Sequence, residues 1–176
     1  MYPSTISRTR SDRVQVEVDP AALYAGTQFR ALREITLVAG ASLVIRMTRG
    51  VDIVLRSFTM RVNSGEMRCE IYRGATTGGT WTPMTILPCC EFSDQPAPYA
   101  TRCALEYGGT TTGGTLYDLM HVKTAGATAQ AATVGDEMNA VLGVPTGSVS
   151  HYKFTNPGNS DSTCIFSLRW EELPIK

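Results

Sequence analysis

With 176 residues, 43% apolar and 18% charged, the chain is long enough to bury a core as one domain without disulfides or metal, and too sparsely charged for long solvated helices or wholesale disorder. Its 16 basic and 16 acidic side chains cancel, which argues against a generic polyanion binder. The balance is not local, because residues 1–73 carry 11 Lys+Arg against 7 Asp+Glu while residues 74–176 carry 5 against 9.

The N-terminus, Met1-Tyr2-Pro3-Ser4-Thr5-Ile6-Ser7-Arg8, has no apolar run of secretory-signal length. The longest near-apolar stretch, Ile35 to Ile45, is too short and too interrupted to span a bilayer. Cys69, Cys89, Cys90, Cys103 and Cys164 are an odd count without small-scaffold spacing, so reduced thiols and assembly in a cytosol are expected.

Residues 1–28 read as an extended N-terminal arm. Arg8, Arg10 and Arg13 form a basic cluster, and Val14, Val16 and Val18 alternate with Gln15 and Glu17 as in a half-buried strand. Asp19-Pro20 has the chemistry to open a short helical turn through Tyr24, with Gly26 ending it.

From residue 29 to 176 the composition is that of one all-β domain. Phe29–Val38, Ser42–Thr48, Asp52–Val62 and Met67–Arg73 are rich in Val, Ile, Leu, Thr and aromatics. Ala39-Gly40, Arg49-Gly50 and Asn63-Ser64-Gly65 separate them as turns, at a spacing that fits a sandwich or barrel. His151–Thr155 and Cys164–Trp170 read as a closing strand pair joined by turn residues Asn156 to Asp161. Leu43, Ile45, Val54, Leu55, Ile71, Phe154, Ile165, Phe166 and Leu168 are the expected core, with Val54 and Leu55 unable to share a face. In the middle, Thr76-Thr77-Gly78-Gly79-Thr80 recurs as Thr111-Thr112-Gly113-Gly114-Thr115, read as two hairpin loops. Pro88–Ala104 and Thr124–Gly147 read as long loops, which in a compact domain usually serve contacts.

Catalytic groups are scarce. His121 and His151 are the only histidines, and no nucleophile elbow, phosphate loop or metal-ligand spacing occurs. Asp136-Glu137 and Glu171-Glu172 are adjacent, and on a strand neighbours point to opposite faces. Cys89 or Cys103 with His121 as a nucleophile–base pair has nothing to raise it above background. No enzyme, cofactor or metal is expected. Arg46, Arg56 and Arg61 invite a phosphate-binding sheet face, but no aromatics interleave with them as stacking platforms, so nucleic acid is not expected as a partner.

Ser42-Leu43-Val44-Ile45-Arg46, Glu70-Ile71-Tyr72-Arg73-Gly74-Ala75-Thr76, Gly78-Gly79-Thr80, Thr82-Pro83-Met84, Thr112-Gly113-Gly114-Thr115-Leu116, Phe154-Thr155-Asn156 and Phe166-Ser167-Leu168-Arg169-Trp170-Glu171-Glu172 together resemble a group of tailed-bacteriophage virion proteins that serve as head decoration, or cement. The resemblance covers roughly residues 29–173. It implies a single jelly-roll-like antiparallel β-sandwich on the capsid exterior, assembled in the bacterial host cytoplasm. The implied partners are the major capsid protein and further copies of the chain, as homodimer or homotrimer, with no membrane. Tyr2, Arg8, Arg10, Arg13, Val14, Val16 and Val18 are then the expected capsid or partner contacts. Trp81, Met84, Phe92, Tyr99, Tyr117 and Met120 are the expected oligomer interface. The alternative is a receptor- or glycan-binding sandwich of a tail or fibre, with Trp81, Tyr99, Tyr107 or Tyr117 stacking on sugars.

Overall fold

The computed structural model describes residues 26–89, 100–124, 132–134, 143–144 and 146–173. The expected contacts of the arm, from Tyr2 to Val18, lie outside the described residues, as do Cys90, Phe92 and Tyr99. Twelve strands are described: β1 Gln28–Leu37, β2 Ser42–Arg49, β3 Ile53–Ser64, β4 Glu66–Arg73, β5 Thr76–Pro83, β6 Leu87–Pro88, β7 Cys103–Thr112, β8 Thr115–Lys123, β9 Ala132–Val134, β10 Gly143–Val144, β11 Val149–Thr155 and β12 Ser162–Glu172. No helix occurs among the described residues.

The strands form two antiparallel sheets packed as a β-sandwich. The first runs β10-β3-β12-β1-β6, with β9 also beside β3, and the second runs β5-β7-β2-β11-β4-β8. From β1 to β4 the chain changes sheet at every turn. It does so again between β11 and β12, so the expected closing pair is consecutive in sequence but faces itself across the core. Alternation explains the choice of faces. Phe29, Ala31, Ile35 and Leu37 on β1 and Cys164, Phe166, Leu168 and Trp170 on β12 turn inward, against Ile45, Met47, Met67, Cys69, Tyr152 and Phe154 from the second sheet. Phe58, Tyr152, Phe154 and Phe166 stack at the centre, with ring centroids 5.4–5.7 Å apart.

Three departures matter, two from strict alternation and one from a sequence expectation. Arg169 pairs with Ser57 but Trp170 with Leu55, so Arg56 is an extra residue that flips the phase of β3. Ile53 is thereby buried and Leu55 packs on the core, while Val54 is buried beside β10. Tyr117 is a similar bulge, since Ile71 pairs with Asp118 and Tyr72 with Leu116. The third corrects a sequence expectation. Gly113-Gly114 does form the β7–β8 turn, but Thr76–Thr80 lies within β5 and not in a loop. Likewise the Thr124–Gly147 segment is not all loop, because β9 and β10 pair with β3. Ile165 belongs to the outer face and is only half-buried.

Candidate functional site

Three parts of the surface carry organised chemistry. The first is the outer face of the second sheet. Even-numbered residues of β4 and odd-numbered residues of β11 point outward, giving rows across the strands: Glu106, Arg46, His151, Tyr72 and Leu116 in one, and Val44, Lys153, Glu70 and Leu119 in the next. Arg46 donates to Glu106 at 2.6 Å, Arg68 pairs with Glu70, and Glu66 takes His121 at 2.7 Å and Lys123 at 3.2 Å. The hydrogen bonds from His121 and Lys123 hold the Glu66 carboxyl below its ordinary range. Beside this paired lattice, the edge strand β8 exposes Leu116, Tyr117 and Leu119, each by nearly half. Their side chains contribute nothing to the sandwich's own core.

Trp81 roofs part of the same face. Its indole lies 4.3 Å under the Arg46 guanidinium and tilts over His151. The close approach needs Gly109, where a Cβ would run into the Trp81 ring and where φ is +51°. His151 beneath is 1% exposed and neither ring nitrogen finds a partner. Burial first, then the Arg46 charge, pushes its pKa below the ordinary value, so the ring is neutral near pH 7.

The second part is a polar groove of about 630 Å³ at the end of the sandwich where β3 meets β4 and β11 leads to β12. Asn63, Glu66, Lys123, Asn159 and Asp161 line it. Hydrogen bonds tie its walls together: Asn156 Nδ2 donates to Leu37 O and Ser160 O, Gly158 N donates to Asn156 Oδ1, and Ser162 Oγ reaches both Ser64 O and Glu66 O. Among the described residues, no three His, Cys, Asp or Glu side chains converge to hold a metal.

The third part is the opposite end. There Arg49 and Arg73 turn into the sandwich, and the Glu172 carboxylate is buried, accepting from Thr101 Oγ1 at 2.6 Å and from Arg102 N. Cys103, at this end, has its thiol pushed up to about 12, first by burial and then by Glu172. His121 is near the other end of β8, so the two cannot act as a nucleophile–base pair. Cys69 and Cys164 are buried free thiols, likewise raised by burial.

The structure redistributes the residues singled out in the sequence. Of the expected interface, Met84 and Met120 pack on the core, Trp81 is half-buried under Arg46, and Tyr117 is exposed. One face of each relevant ring is already taken by an arginine: Tyr107 by Arg33 at 3.3 Å, Trp81 by Arg46, and Tyr117 by Arg73 at 3.9 Å. Arg46, Arg56 and Arg61 do not form one basic face. Arg46 is on the second sheet and paired with Glu106, whereas Arg56 and Arg61 are on the first, with Arg56 paired to Glu171. Sequence reasoning missed Arg49, Arg73, His151 and Asn156. For the arginines a signal existed, because extending Leu43-Ile45-Met47 and Met67-Cys69-Ile71 by one alternation lands on Arg49 and Arg73.

No family model matches the sequence, and no curated protein or solved structure matches it.

Proposed function

We propose that the protein is a non-enzymatic structural component of a bacteriophage virion. It binds the outer capsid surface as a decoration protein and bridges major capsid subunits. The observation that carries the reading is the exposed apolar strip of β8, Leu116, Tyr117 and Leu119, on the rim of an ion-paired sheet face. A strip of this kind is suited to the centre of a contact, with the charged rows as its rim. The strand order adds support. With β5, β6, β7 and β10 set aside, β1-β12-β3-β9 opposes β2-β11-β4-β8, the eight-strand order of a jelly roll. The chain is proposed to act as a homodimer or homotrimer, with the arm of residues 1–28, whose last residue is taken into β1, gripping the shell or a neighbouring copy through the residues that precede that strand.

Copy counting by quantitative mass spectrometry of purified virions tests this. Hundreds of copies per particle are expected, whereas a number near the tail symmetry moves the protein to the receptor-binding reading, and absence from the particle overturns both. In reconstituted shells, Leu119→Lys should weaken occupancy by at least about tenfold, which requires only about 1.4 kcal/mol. Deleting residues 1–18 should weaken it comparably while leaving the melting temperature unchanged.

A further inference from the structure

Strand alternation directs three arginines into the sandwich: Arg33 on β1, whose guanidinium stacks on Tyr107 of the opposite sheet, and two at one end. Leu43, Ile45 and Met47 occupy the inner face of β2, and Arg49 is the next residue on that face. Met67, Cys69 and Ile71 do the same on β4, and Arg73 follows. Between the two strands runs β11, whose Ser150 pairs in register with Arg73 and accepts a hydrogen bond from Arg49 Nη2 at 2.7 Å. Arg49 Nη1 donates to Ser148 Oγ at 2.8 Å, and the Tyr152 phenol, next inward on β11, lies against the same guanidinium. Two cations therefore flank one serine inside the end of the sandwich.

Neither has a carboxylate partner among the described residues. Among the described residues, the ion pairs involve Arg46, Arg56, Arg68, His121 and Lys123, and none reaches Arg49 or Arg73. The Nε atoms of both arginines are buried without a partner, and Arg49 is only 3% exposed. Buried charges are ordinarily paired, and two like charges side by side add repulsion to the desolvation penalty. Burial above all, with the Arg73 charge adding to it, lowers the pKa of Arg49. The buried Glu172 carboxylate at this end is taken by Thr101 and Arg102 N, so among the described residues the two arginines lack an anion of their own. Arg73 is half-buried with one guanidinium face on Tyr117, so solvent reaches the pair from the Arg73 side, and the depth of Arg49 restricts the occupant to a small group.

We propose that this end of the sandwich binds a small oxyanion of the phosphate or sulfate class between Arg49 and Arg73, where Arg73 offers its guanidinium, Arg49 the N–H groups that Ser148 and Ser150 leave free, and Ser150 a hydroxyl proton. The site is independent of the virion reading. The test is thermal unfolding of the full chain in increasing sodium phosphate against sodium chloride at matched ionic strength. A saturable, phosphate-specific rise in melting temperature is expected. Arg73→Gln should weaken the apparent phosphate affinity by at least about tenfold, while Arg61→Gln, exposed on the other sheet, should leave it unchanged. Phosphorus NMR of the same variants reads binding directly should Arg73→Gln alter folding. Equal responses to phosphate and chloride, a response surviving in Arg73→Gln, loss of response in Arg61→Gln, or a response to acetate alone would each overturn the proposal.

Discussion

The two ends of the sandwich treat buried polar groups in opposite ways. At the β3–β4 end, Asn156 and Ser162 are fully buried and every polar atom of their side chains is engaged, tying the β11–β12 connection to β1, β3 and β4. Gly65 completes the joint, because with φ at +76° its missing Cβ leaves room for Ser162 Oγ and Asp161 O. At the other end the buried Glu172 carboxylate is satisfied, but the Nε atoms of Arg49 and Arg73 and the Nε2 of Gln28 are buried with no partner. The first end is finished as folded. The second holds charges whose compensation is missing from the chain's described residues, which is the usual mark of a place kept for something else.

The largest test of that contrast is Asn156→Ala. It strips donors from Leu37 O and Ser160 O and the acceptor from Gly158 N, all at a buried site. A loss of about 3 kcal/mol in urea unfolding is expected, with no change in phosphate response. Ser162→Ala should follow at about 1.5 kcal/mol, since Ser64 O and Glu66 O lose one shared donor. Arg73→Met should behave differently. Removing the half-buried Arg73 charge from beside the buried Arg49 offsets the lost stacking on Tyr117, so in chloride buffer its stability should stay within about 1 kcal/mol of the parent, on the favourable side. A loss as large as that of Asn156→Ala would erase the distinction between the ends.

The fold was largely legible because alternation and turn chemistry act locally. Phe29–Val38, Ser42–Thr48 and Met67–Arg73 match β1, β2 and β4 to within one residue at either end. The bulges at Arg56 and Tyr117 were not legible, since an extra residue is fixed by the partner strand and leaves no composition signal. The partition of β11 and β12 into different sheets was hidden for a related reason: a six-residue turn can close a hairpin or cross a core, and only packing decides. Arg49 read as part of the Arg49-Gly50 turn and Arg73 as the end of its strand, although the inward phase of both positions was written in the residues before them. Asn156 looked like turn material. It is that, but its amide also reaches Leu37 O on β1, a segment that sequence alone does not bring beside the turn.

His151 supplies the subtlest test, because it has orphaned buried nitrogens at neither end but in the middle of an outer face. Arg46 from β2, Tyr72 from β4 and Trp81 from β5 surround the ring, and Glu106 from β7 holds Arg46 in place. No carboxylate touches the imidazole, so protonation would add a charge under an indole and beside a guanidinium. The folded-state pKa is therefore lowered, by burial first and Arg46 second. The folded chain then binds fewer protons than the unfolded chain below the unfolded value of about 6.5, and its stability must fall as pH drops through that value. The loss attributable to this one ring is no more than about 1.4 kcal/mol at one pH unit below that value, the limit for a group that stays neutral when folded. His151→Phe keeps the ring shape and removes both the titration and the unpartnered nitrogens. Its stability at pH 7 should equal or exceed that of the parent, and the difference between the two proteins should widen steadily on acidification toward pH 5.5. Glu66 titrates in a separate window, because its lowered carboxyl contributes above its ordinary value near 4.5 and loses that contribution only on further acidification. Parallel curves for parent and variant between pH 7 and 5.5 would show that His151 takes up its proton without penalty. That result would require an anion or water beneath Trp81, and would make this face, like the arginine end, one whose polar groups are completed from outside.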